Sequence, residues 1–213
     1  MRHSRIWEGC AFAIKVAFSG MLLVSCSDDD AVIPMGPSTP TPEIFTAGSA
    51  DFSNYVALGN SLTAGYSDSA LFADGQNASY PNMMATSFMA AGGGSFTIPL
   101  MADNLGGLTL GGQPLEGFGN RLILSFASGS PAPVAKGGSG STEVSTILSG
   151  SFNNMGVPGA KSFHLSAPGY GNVQGLAVGA ANPYYVRFAS SPDASVIGDA
   201  IAQGPSFFTL WIG

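Results

Sequence analysis

Apolar residues fall in a few separated runs, with long polar and glycine-rich stretches between them. The run Tyr55-Val56-Ala57-Leu58 is unbroken and β-prone, which predicts a buried strand. It breaks abruptly at Gly59-Asn60-Ser61, then regains helix-compatible residues through Leu62-Thr63-Ala64 before Gly65. The chain therefore turns from strand to helix at Ser61. A serine at such a turn exposes its hydroxyl, and its backbone N–H lies near a helix N-terminus, where it can help hold a developing oxyanion.

Further along, residues 67–76 are polar and read as a loop. Residues 79–90 predict a helix, with Ser79 or Tyr80 at its cap and Pro81 in its first turn. Met83, Met84, Phe88 and Met89 have helical spacing and are expected to form a core-facing stripe, since methionine fills irregular gaps. Gly92-Gly93-Gly94 ends this helix. Residues 95–150 are rich in Gly, Ser and Pro, and only Arg121-Leu122-Ile123-Leu124-Ser125-Phe126 reads as a strand. That region is expected to be an insertion whose loops shape a pocket. Residues 193–203 read as a short amphipathic helix stopped by Gly204-Pro205. The last run, Phe207-Phe208-Thr209-Leu210-Trp211-Ile212, predicts a central parallel strand buried on both faces. Strands and helices alternating in this way predict an α/β fold.

Before residue 51 the pattern changes. Arg2, His3 and Arg5 form a basic start. An apolar stretch over residues 16–24 follows, bounded by Lys15 and too short for a stable bilayer span. It ends in Leu23-Val24-Ser25-Cys26, which resembles the lipobox of bacterial lipoproteins. The resemblance implies a signal peptide over residues 1–25, lost with Cys10, and lipid attached at Cys26. Several acyl chains would then anchor the protein to a membrane of the cell envelope. Ser27-Asp28-Asp29-Asp30 resembles sorting signals for the outer membrane surface, and reads equally as a solvated tether. Pro34, Pro37, Pro40 and Pro42 mark residues 26–50 as a lipidated start and extended linker. The domain is expected over residues 51–213.

Composition narrows the classes. With 45% apolar and 9% charged residues, 213 residues suffice for one domain with a proper core. The net charge of −6 argues against nucleic acid as a partner. Cys10 and Cys26 both precede the domain, so neither a disulfide framework nor a zinc site is expected. Gly169-Tyr170-Gly171-Asn172-Val173-Gln174-Gly175 has the wrong spacing for a dinucleotide fingerprint, and no phosphate loop occurs. No metal and no cofactor is expected.

Gly59-Asn60-Ser61-Leu62-Thr63-Ala64-Gly65 resembles the first sequence block of the SGNH, or GDSL-type, serine hydrolases, with Asn60 in place of the usual Asp. It is not the Gly-x-Ser-x-Gly elbow of α/β-hydrolases, because Thr63 stands where the second Gly would be. Asn154-Met155-Gly156-Val157-Pro158-Gly159-Ala160 is similar to the second block, and the final strand resembles the one entering the third, with Gly213 as that block's Gly. The resemblance implies a three-layer α/β/α sandwich with a parallel sheet, flavodoxin-like in plan and incomplete at the C-terminus. It implies Ser61 as the nucleophile, and the N–H groups of Ser61 and Gly156 as the oxyanion hole. The substrate it implies is a small-molecule, lipid or acylated-glycan ester. The Asn of the third block and the Asp-x-x-His of the fourth have no counterpart here. His164 follows Lys161 rather than Asp at the required spacing, so it reads as a loop or surface histidine. The chain as it stands is therefore expected to be inactive. A second reading keeps the scaffold without catalysis, as a surface lipoprotein binding a glycan or lipid ligand.

Overall fold

The computed structural model describes residues 45–213. The expected signal peptide, Cys26 and most of the linker lie outside them. The described residues belong to one compact unit.

Elements follow in chain order as β1 (Tyr55–Gly59), α1 (Ser61–Ala64), α2 (Ala73–Asn77) and α3 (Tyr80–Met89), then β2 (Leu108–Leu110), β3 (Gln113–Pro114), β4 (Leu122–Ser125), β5 (Ala132–Ala135), β6 (Thr142–Glu143) and β7 (Asn154–Gly156). Two 3-10 turns (Ser162–Ser166 and Val173–Val178) lead to α4 (Pro183–Val186), α5 (Val196–Ala202) and β8 (Phe207–Trp211). The main sheet has the order β7-β1-β8 and is parallel throughout. Gly59 is paired with Gly156 on one side and Trp211 on the other.

Side chains alternate across β1, so one short apolar run feeds two cores. Val56 and Leu58 join the core that holds Val157, Leu165, Tyr185, Val196 and Ala200, beneath α5 and the first 3-10 turn. Tyr55 and Ala57 face the other way, onto Ala85, Met84 and Phe88 of α3. Helices therefore cover both faces of a parallel sheet, which makes the fold α/β, as the alternation of elements predicts. Complete burial of Val56 contributes about 1.5–3 kcal/mol by area.

The methionine stripe is narrower than expected. Met84 and Phe88, four residues apart, face the sheet, while Met83 and Met89 are more than half exposed. Neighbours in a helix diverge by about 100°, so 83 and 89 cannot share the face of 84 and 88. Phe88 stacks on Phe52 at 4.1 Å and meets Tyr55 edge-on at 5.1 Å.

Residues 67–76 are not a plain loop. Ala70, Leu71 and Phe72 are buried and lead into α2. Gln76, also buried, donates to the Pro99 carbonyl at 3.0 Å and accepts from the Met101 N–H at 2.6 Å. Residues 95–150 carry more structure than the single expected strand, in a small sheet of order β3-β2-β6 and a β4–β5 hairpin. Leu108 and Val144 of this region pack with Ala64 of α1, tying it to the turn at Ser61. Arg187 is buried among the same loops and donates to the Pro99 and Leu100 carbonyls; burial lowers its guanidinium to about 10.

β8 differs from expectation. It is an edge strand of the main sheet, with Phe208 59%, Leu210 54% and Trp211 55% exposed. An unbroken apolar run gives hydrophobicity but not position within a sheet.

Candidate active site at the end of the central strand

Ser61 begins α1 directly after β1, at the C-terminal end of the sheet. α1 can sit there only because the strand ends are glycine. A Cβ on Gly59 would lie 2.0 Å from Thr63 Oγ1, and one on Gly156 would lie 2.3 Å from the Ala64 nitrogen. Both glycines thus admit close backbone approach. Gly65, at φ +84°, closes the helix after one turn.

Hydrogen bonds fix the helix from below. Asn60 N–H donates to the Trp211 carbonyl at 3.3 Å. Buried Thr63 sets its hydroxyl 3.2 Å from the Tyr80 hydroxyl and 3.4 Å from the Leu58 carbonyl. Asn154 is buried too. Its amide donates to the Thr63 carbonyl at 2.9 Å and to Ser79 Oγ at 3.4 Å. One side chain of the second block therefore joins β7, α1 and the start of α3. Among the described residues, neither the hydroxyl nor the N–H of Ser61 has a hydrogen-bond partner.

Gly156 lies where the motif requires, beside Gly59 and against α1, but its N–H is occupied. It donates to Oδ1 of Asn154 at 3.0 Å inside the protein. The oxyanion role expected of this N–H is thus at odds with its geometry. The segment that follows stays at the same end of the sheet, since Val157 N–H donates to the Gly59 carbonyl at 3.0 Å. Pro158 has no N–H, and Ala160 N–H donates to the Val157 carbonyl at 3.0 Å. Gly159, at φ +80°, has an N–H with no acceptor among the described residues. Asn182 holds this turn by donating to the Pro158 carbonyl at 2.9 Å. The signal for Gly159 was in the sequence, as the second Gly of the same block.

His164 stands apart from this arrangement. It lies in the first 3-10 turn, where Nδ1 accepts from Lys161 N–H at 3.0 Å. Its ring stacks on Tyr170 at 4.7 Å. It makes no hydrogen bond to Ser61.

A cavity of about 370 Å³ opens beside α1, walled by Leu62, Tyr66, Ala78, Tyr80 and Trp211. A larger one of about 450 Å³, lined by polar groups including Asn54, Asn153, Asp199 and Gln203, lies at the opposite, N-terminal end of the strands. Comparison with protein-family models, curated proteins and solved structures finds no match.

Proposed function

We propose that this chain is the nucleophile-bearing part of an ester hydrolase of SGNH type, carried on a lipid-anchored envelope protein. The observation that carries the reading is the position of Ser61, half-buried at a strand-to-helix turn with its hydroxyl unpartnered among the described residues, and flanked by a second motif paired to the same strand end. The reading extends the observed α/β arrangement to the three-layer sandwich of that family.

In the proposed mechanism Ser61 Oγ attacks the acyl carbonyl of an ester. The carbonyl oxygen becomes an oxyanion, held by the N–H groups of Ser61 and Gly159. Gly159 replaces Gly156 in this role because the Gly156 N–H is already donated. Collapse expels the alcohol and leaves an acyl-serine, which water then cleaves. Serine needs a general base for both steps, and no described residue supplies one. Without it turnover falls by about 10⁴-fold or more. The unpartnered hydroxyl of Ser61 also supports the second reading, in which the scaffold binds a lipid or glycan ligand without cleaving it.

Added imidazole can stand in for the missing base and separates the two readings. A fluorophosphonate probe should react with the wild-type chain at a rate that rises with imidazole concentration, and Ser61→Ala should abolish that reaction. A wild type that reacts no faster than Ser61→Ala at any imidazole concentration supports binding alone.

A further inference from the structure

The cavity beside α1 differs from the other end of the sheet in its chemistry. Among the described residues, no charged side chain lines it. Its polar atoms are largely spent within the protein. The Tyr66 hydroxyl donates to the Ser69 carbonyl at 2.6 Å, the Tyr80 hydroxyl pairs with Thr63, and Ser79 Oγ receives the Asn154 amide. Apart from the Ser67 hydroxyl, what remains facing the space is mainly aliphatic and aromatic surface. Tyr80 and Trp211 lie with ring centroids 5.4 Å apart, tilted by 47°. Leu62, the residue after Ser61, is 54% exposed and forms part of the rim.

We infer that this cavity binds a neutral, unbranched alkyl chain of the ester, held between Leu62 and the Tyr80–Trp211 pair. Its volume suits a chain of medium length. A sugar ring is a poor occupant, because its hydroxyls would leave water and find few free partners. An anionic group would enter a pocket with no counter-charge. The inference deepens the hydrolase reading, choosing a fatty acyl ester over an acylated glycan as its substrate. The pocket itself does not depend on catalysis.

Trp211 offers a direct reporter, since Trp7 is the only other tryptophan in the sequence. The test uses the full chain carrying Trp7→Phe and Ser61→Ala, so that emission comes from Trp211 and no chemistry occurs. Methyl octanoate should shift Trp211 emission saturably, at least about tenfold more tightly than methyl acetate, as longer apolar contact requires. Methyl glucoside should give no shift. Ala78→Phe, at an exposed wall position that tolerates a larger side chain, should weaken octanoate binding about tenfold by filling the space. Equal responses to the two esters, a saturable response to the glucoside, or octanoate binding unchanged by Ala78→Phe would overturn the inference. Fluorophosphonate labelling at Ser61 without octanoate binding would remove the alkyl pocket and leave the hydrolase reading standing.

Discussion

A side chain at Gly156 has nowhere to go, because the nearest atoms are backbone of α1 rather than the end of a flexible side chain. Gly156→Ala should therefore destabilise the fold by about 1–3 kcal/mol or more, as overpacking does. Thermal unfolding checks this, and a variant melting with the wild type would mean α1 does not press on β7. Asn154→Ala should cost about 2–4 kcal/mol, since it strands the Thr63 carbonyl and the Gly156 N–H in a buried place. Denaturant unfolding measures that loss. These two residues also mark how far the sequence could be read. The motif named the right residue types, and the strand-to-helix turn at Ser61 followed from apolar patterning alone. Which glycine keeps a free N–H did not follow. That depends on the Asn154 side chain folding back two residues, a choice that spacing does not encode.

At the scale of elements, β1 was legible as an unbroken apolar run and α3 from its cap and first-turn Pro81, with boundaries marked by Gly, Ser and Pro. Residues 95–150 were not. Their strands are two to four residues long, too short for any period to register. Polar side chains hold them instead. The Asp103 carboxylate accepts from the N–H groups of Leu105, Gly106 and Ser141. Glu143 in β6 accepts from Gly112, Gly111 and Ser145, led by Gly112, which lowers its carboxyl from 4.5 to about 2. A carboxyl depressed on folding contributes stability above its unfolded value. That contribution is lost as pH falls from about 4.5 through about 2. Glu143→Gln should thus lower the melting temperature at neutral pH, with the gap from wild type closing near pH 2. A gap unchanged across that range would mean the carboxylate charge does not hold β6 to the β2–β3 turn.

At the scale of the whole molecule, the described residues leave β8 as an exposed apolar edge of the main sheet. Charged or short edges are the usual protection against strand pairing between molecules, and β8 has neither. Phe208→Lys should reduce concentration-dependent association in sedimentation velocity without lowering the melting temperature, because Phe208 is already 59% exposed. Equal association of both proteins would clear β8 of that role. Among the described residues no helix is long and apolar enough to cross a membrane, so attachment in this account rests on the lipobox-like Leu23-Val24-Ser25-Cys26. Labelled fatty acid fed to cells should enter the wild-type protein and not Cys26→Ala; equal labelling of both would remove the anchor. The central claim concerns Ser61, and it is tested most directly by locating a fluorophosphonate adduct by peptide mass spectrometry, in the presence of imidazole. The account predicts an adduct on the peptide containing Gly59-Asn60-Ser61-Leu62 and none in Ser61→Ala. An adduct on another serine, or equal modification of Ser61→Ala, would contradict it.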